Sequence, residues 1–122
     1  GDKMAAVTTE PAVPEGYVFV CQRDELPERG KHTVSIEGKR LLIVVCGANL
    51  FAVEDRCPQT GLPIAHGAVM DCVLTAPNTG ARYDLRTGRY LGGGLSPLQS
   101  HWLPVWPLSL IAGKLYVRPP AA

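Results

Sequence analysis

Between Thr33 and Val53 the sequence is cut into three apolar segments by two tight turns, and that spacing leaves no room for helices. Thr33-Val34-Ser35-Ile36 alternates with the period of two expected of a half-buried strand. Glu37-Gly38-Lys39 turns the chain into Arg40–Cys46, a β-branched and apolar run, and Gly47-Ala48-Asn49 turns it again into Leu50–Val53. Three strands joined by such short turns make an antiparallel meander. Tyr17–Cys21, Cys72–Thr75, Ala81–Leu85 and Arg89–Leu91 are further short strand candidates, the last two joined by Arg86-Thr87-Gly88. Trp102–Ile111 and Lys114–Arg118 flank Ala112-Gly113 as a closing hairpin. Among 122 residues, 13 Gly and 11 Pro disfavour long helices. The expected fold class is all-β, a small antiparallel β-sandwich or barrel.

The same sequence excludes several functions. A chain this short holds one domain, because two pieces could not each bury a core. Its formal net charge of +1 lacks the imbalance of a nucleic-acid or membrane-surface binder. No apolar run approaches the ~20 residues that span a bilayer. Residues 1–16 read as a flexible leader kept extended by Pro11 and Pro14, with Gly1-Asp2-Lys3, which precede Met4, as an expression remnant. No basic segment followed by an apolar one marks a signal peptide. The folded domain is expected over 17–122. Cys21, Cys46, Cys57 and Cys72 lack the short spacings of a disulfide scaffold or a CxxC metal site. Cys21 and Cys46 lie in apolar runs and are expected to be free thiols packed as small hydrophobes. A reducing cytoplasm is the matching expectation.

Two stretches do not read as strands. Residues 55–67, Asp-Arg-Cys-Pro-Gln-Thr-Gly-Leu-Pro-Ile-Ala-His-Gly, and residues 76–80, Ala-Pro-Asn-Thr-Gly, are Pro/Gly loops on a β-scaffold, where function usually sits. They resemble the cluster loops of the Rieske-type [2Fe–2S] ferredoxin family. Cys57-Pro58-Gln59-Thr60-Gly61-Leu62-Pro63-Ile64 matches the family's first loop, and Ala76-Pro77-Asn78-Thr79-Gly80 followed by Ala81-Arg82-Tyr83-Asp84-Leu85-Arg86-Thr87-Gly88 matches the second. The stretch Thr60–Thr75 fits the family spacing, and Leu103-Pro104-Val105-Trp106-Pro107 resembles a later family segment. The resemblance runs from about Tyr17 to Arg118. It implies a Rieske-like domain with a two-loop cluster-binding-type subdomain.

The resemblance also shows what this chain lacks. A Rieske centre takes two thiolates on one iron and two imidazoles on the other. This chain keeps Cys57 but has Gln59, Ala76 and Thr79 at the other three ligand positions. Amide, methyl and hydroxyl groups do not replace thiolate or imidazole donors. The family cofactor is therefore expected to be absent, with no cofactor-binding, metal or catalytic residues. His66 and His101 read as surface residues and so does His32; Cys72, at a strand start, is expected to pack inward and to stand too far from the loop to ligate. A mononuclear site built on Cys57 and His66 is the less favoured reading. Asp84 and Arg86, with Tyr83, take a structural role by the same resemblance. Gly92-Gly93-Gly94 opens no helix and gives no nucleotide motif. No base–nucleophile pair is visible, so the chain is not expected to be an enzyme.

In the family the loop tip docks on reductase and oxygenase components. Here Pro58, Leu62, Pro63, Ile64, Pro77 and Tyr83 are the expected docking tip, apolar side chains rimmed by polar ones. Gln59, Asn78 and Thr79 suit hydrogen bonds that hold the two loops together without iron. The expected function is a cluster-free accessory or docking subunit of an oxygenase or reductase system. Cluster-free relatives of the fold are known as small subunits of assimilatory nitrite reductases. The alternatives are a Rieske-type electron carrier with unorthodox ligation and a small-molecule binder in the vacated cluster cavity.

Overall fold

The computed structural model describes residues 11–95 and 101–121. The stretch expected to be an expression remnant and most of the expected leader lie outside the described residues. Within them the chain runs through β1 (Val18–Gln22), a 3-10 turn (Arg23–Glu25), β2 (Gly30–Ile36), β3 (Lys39–Cys46), β4 (Asn49–Glu54), β5 (Ala68–Met70) and β6 (Val73–Thr75). It continues through β7 (Arg82–Asp84), β8 (Tyr90–Gly92), β9 (Val105–Trp106), β10 (Leu108–Ile111) and β11 (Lys114–Val117). The strands form three antiparallel sheets, ordered β1-β11-β10, β2-β3-β4-β9 and β5-β6-β7-β8.

Strand β3 explains how the sheets stack. Leu41 to Val45 are all buried, although successive side chains point to opposite faces of a sheet. Leu42 and Val44, with Val53 of β4, join one apolar cluster with Leu74, Tyr83 and Leu85. Leu41, Ile43, Val45 and Ala52 join a second, with Cys21, Leu115 and Val117. The central sheet is thus buried on both faces, with β1-β11-β10 over one and the loop sheet β5-β6-β7-β8 over the other. This makes the expected all-β architecture and the expected β2-β3-β4 meander concrete.

Turn chemistry sets the register. The β2–β3 and β10–β11 hairpins turn on Glu37-Gly38 (φ 52° and 81°) and Ala112-Gly113 (φ 50° and 76°), the paired positive φ of a two-residue hairpin loop. Asp71-Cys72, between β5 and β6, does the same without glycine, at φ 53° and 60°. Cys72 therefore sits in a turn, not at the start of a strand as its apolar neighbours suggested. The expected long strand before the last hairpin is two strands, because Pro107 cannot donate to a ladder: β9 pairs with β4 and β10 with β11.

The cysteine expectation needs the larger correction. Cys21 and Cys57 are free and buried, but Cys46 and Cys72 form a disulfide with Cα atoms 5.7 Å apart. Burial, and after it the charge of Glu25, pushes the Cys21 thiol up, in keeping with an inert core residue. The bridge was hidden by a sequence separation of 26 residues, which only the stacking of the loop sheet on the central sheet closes.

Candidate functional site

The first loop is anchored by a buried carboxylate at the end of β4. Asp55 is wholly enclosed; Arg40 of β3 donates to its Oδ2 through Nε at 3.2 Å and Nη2 at 2.9 Å. The Ile64 backbone N–H donates to Oδ1 at 2.8 Å. One side chain thus ties the central sheet to the far end of the loop. Next to it, the buried Glu54 accepts hydrogen bonds from Trp106 Nε1 at 3.0 Å and Arg56 Nη2 at 3.3 Å. Lys31 Nζ donates to the Gly67 carbonyl; burial lowers its pKa, and the nearby Asp55 charge opposes that shift.

The two loops prove to have one skeleton. In the first, Cys57 N–H bonds Leu62 O at 2.7 Å and Gly61 N–H bonds Cys57 O at 2.7 Å. In the second, Ala76 N–H bonds Ala81 O at 2.8 Å and Gly80 N–H bonds Ala76 O at 2.9 Å. Thr60 Oγ1 accepts from Leu62 N–H at 3.1 Å, and Thr79 Oγ1 accepts from Ala81 N–H at 3.1 Å. The shared pattern, X-Pro-x-Thr-Gly-x, gives each loop a proline, a hydroxyl that caps the turn and a glycine at positive φ (77° at Gly61, 80° at Gly80).

The four expected ligand positions lie on these skeletons. Cys57 and Ala76, each 1% exposed, share the apolar cluster of Ile64, Ala81, Tyr83 and Leu85. Burial pushes the Cys57 thiol up, but hydrogen bonds from the Thr60 hydroxyl, the Gln59 and Thr60 backbone N–H groups and the Thr79 hydroxyl outweigh it. The net result is a pKa below the ordinary 9.0. The Thr79 contact crosses between the loops, as expected of a polar bridge. Gln59 Oε1 accepts from Leu95 N–H at 3.0 Å. Asn78 is exposed.

The tip needs correction at two positions. Leu62, 48% exposed, and Pro63 and Pro77 face outward, and Pro58 is half-buried. Ile64 and Tyr83 are 0% exposed and belong to the core. Asp55 holds the Ile64 backbone so that its side chain enters the cluster. Tyr83 is on β7, an inner strand of the loop sheet. Its hydroxyl completes no hydrogen bond of normal geometry, and its pKa is pushed up to about 12 by burial first, then by Cys57 and Tyr90.

Sequence reasoning missed three contributors. Asp55 was legible only as a charged residue between an apolar strand and a Pro/Gly loop. Leu95, 65% exposed, joins the tip through its bond to Gln59. The run Gly92-Gly93-Gly94, all at positive φ, closes over both loops: a Cβ on Gly93 would stand 2.6 Å from Gly80 O, and one on Gly94 2.3 Å from Gln59 Oε1. Three successive glycines after a strand were the available signal.

These residues do not fit a [2Fe–2S] centre. Ala76 presents a methyl group to an apolar cluster, Gln59 Oε1 is engaged with Leu95, Thr79 caps its own turn, and Cys57 is a single thiol. Of the other donors considered, His66 and His101 are exposed as expected, His32 is half-buried within β2, and Cys72 is bridged. Among the described residues no group of three or more His, Cys, Asp or Glu side chains is placed so that it could hold a metal ion. The packed cluster also gives a small-molecule reading of this spot little room. A cavity of about 570 Å³ is lined by Glu54, Pro104, Trp106, Pro107, Arg118 and Pro119 among others, and none of the former ligand positions lines it. Among the described residues no helix is long and apolar enough to cross a membrane.

Residues 16–118 match the family model described as Rieske-like [2Fe-2S] domain. No curated protein matches the sequence. Among solved structures, the ferredoxin of carbazole 1,9a-dioxygenase from Nocardioides aromaticivorans IC177 superposes with a TM-score of 0.74 at 17% identity, over 87% of this chain and 100% of that one. A chain of the complex of reduced oxygenase and oxidized ferredoxin in carbazole 1,9a-dioxygenase gives 0.71 at 21% identity, over 86% and 94%. A putative nitrite reductase NADPH (small subunit) gives 0.70 at 23% identity, over 84% and 98%. At these identities the likeness is one of fold.

Proposed function

Because the chain belongs to the Rieske-like [2Fe-2S] domain family yet carries one thiol where the cluster needs four donors, we propose that it is a cluster-free docking or accessory component. The observation that carries this reading is the fate of the ligand positions. Ala76 is sealed in the core, Gln59 is tied to Leu95 and Thr79 caps its turn, so each has a role in holding the loops and none is left to hold iron. The chain then acts by contact and not by catalysis or electron transfer of its own. The contact surface is the tip, where Leu62, Pro63, Pro77 and Leu95 stand exposed on backbone held by hydrogen bonds. Rigid apolar groups with a polar surround suit protein docking, because little conformational freedom is lost on binding. The fold neighbours that occur as a ferredoxin with its oxygenase and as a nitrite reductase small subunit support an oxygenase or reductase component as the partner class.

The deciding measurement is iron and acid-labile sulfide per chain, with a visible spectrum, on anaerobically purified protein. A folded, colourless protein without iron is expected. Two irons per chain with Rieske-like absorption would overturn the proposal and return the chain to electron transfer with donors from elsewhere. Docking is tested by photocrosslinking from position 62 against position 110, an equally exposed leucine site on β10. Crosslinks to an oxygenase or reductase component are expected from 62 and not from 110; equal yields from both would remove the tip from the proposal.

A further inference from the structure

We propose that the Cys46–Cys72 disulfide is the covalent tie between the loop sheet and the central sheet, and that its reduction loosens the loop sheet selectively. Cys46 closes β3, and Cys72 lies in the β5–β6 turn. Among the described residues no ladder joins the two sheets: each of the strands β5 to β8 pairs within its own sheet. Among the described residues the other links include the apolar cluster, the Asp55–Ile64 and Lys31–Gly67 hydrogen bonds, and the bond from Leu103 N–H to Gly88 O. Of these, the hydrogen bonds lie away from the β5–β6 turn; beside it the apolar cluster contributes Leu74 and Val69, and the bridge adds the covalent tie at that edge.

The turn itself shows that a side chain is wanted there. Both central residues have positive φ, a conformation in which glycine is the least strained choice, and the hairpins at 37–38 and 112–113 place glycine second. Cysteine occupies the second position of the 71–72 turn despite that strain. Cys46 is half-buried, so the bridge is within reach of a small dithiol. In the reaction, a thiolate of the dithiol attacks one sulfur and displaces the other as a thiolate. The second thiol of the reductant then resolves the mixed disulfide, and the protein gains two electrons and two protons while the reductant leaves as its own disulfide. A bridge of this kind persists in an oxidising compartment, and the proposal places the working chain there, against the reducing cytoplasm expected from the cysteine spacing.

The test begins with thiol trapping in the native host, followed by denaturation and mass spectrometry. Alkylation of Cys21 and Cys57 only, with a linked pair of peptides containing Cys46 and Cys72, is expected; alkylation of all four overturns the proposal. The melting temperature should fall by roughly 10 °C when a phosphine reductant is added, from the loop-closure entropy of a bridge across this separation. The Cys46→Ser/Cys72→Ser variant should melt at the reduced value and ignore the reductant. Hydrogen exchange should quicken over residues 68–75 and stay slow over 41–45. Should the double variant fail to fold, reductant on the native protein gives the same readout. No melting shift, or faster exchange spread evenly over both sheets, would overturn the selective role.

Discussion

The two loops share a backbone and differ in what they enclose. Residues 57–62 and 76–81 repeat the same three hydrogen bonds, yet the first leads with Cys57 and the second with Ala76, both sealed at 1% exposure. A metal cross-link between loops is commonly a folding element in its own right. Here each turn is closed by its own amides and by a threonine hydroxyl, so its shape needs no shared ion. The difference at the leading residue shows that the skeleton tolerates loss of a donor provided the space is filled: a methyl group at 76 packs with Ala81, and a thiol at 57 collects donors from both loops.

The loops are anchored unequally, and the largest expected effect breaks that asymmetry. Asp55 holds the end of the first loop, while among the described residues no carboxylate plays this part in the second. Asp55→Ala strands the Ile64 N–H and unpairs Arg40, and should cost about 2–3 kcal/mol in urea unfolding, less than a fully enclosed pair because Arg40 is largely exposed. Hydrogen exchange should quicken over 57–64 and not over 76–81. Equal loosening of both loops would mean that the anchor serves the whole sheet stack.

The threonine caps sharpen the comparison at about 1 kcal/mol. Thr79→Ala removes a turn cap and a hydroxyl that crosses between the loops to Cys57, whereas Thr60→Ala removes a cap and a contact within its own loop. Thr79→Ala should be the costlier, and Thr79→Ser should recover most of the loss. Equal costs in chemical denaturation would show that the cross-loop contact adds nothing. Tyr83→Phe should have the opposite sign. It deletes a wholly buried hydroxyl that completes no good hydrogen bond, so stability should stay level or rise by up to about 1 kcal/mol. A clear loss would identify the Cys57 thiol as a true partner of the phenol.

How much of this was legible follows from the range of each signal. The β2-β3-β4 meander was readable because period-two patterning and turn residues act over a few positions. The same pattern in β3 could not show that both faces would be buried, since the second face is covered by strands far along the chain. The loops and their four ligand positions were readable from motif order. The tip was not: Ile64 and Tyr83 look like Leu62 and Pro77 in a string, and only the Asp55 anchor and the position of β7 turn them inward. β5 is three residues with two exposed side chains, too short for a pattern. The disulfide depends on stacking of two sheets, which no local signal encodes.

The smallest effect tests the enclosed thiol by pH. Hydrogen bonds from both loops hold the Cys57 pKa below the 9.0 it has in an unfolded chain. The native state then releases this proton more readily than the unfolded state, so the resulting stability is fully present above about pH 9 and is lost as pH falls through the lower native value. Tyr83 runs the other way: its pKa near 12 favours the protonated native state, a contribution present below pH 10 and lost as pH rises through 12. Comparing the wild type with Cys57→Ala between pH 7 and 9.5 isolates the first term, since Tyr83 stays protonated there. The wild type should gain on the variant as pH rises across that window, and Thr60→Ala/Thr79→Ala should flatten the gain by removing the hydroxyls that lower the thiol's pKa. A gap that shrinks with rising pH would mean that burial outweighs the hydrogen bonds, and the first loop would then enclose its thiol as inertly as the second encloses its methyl group.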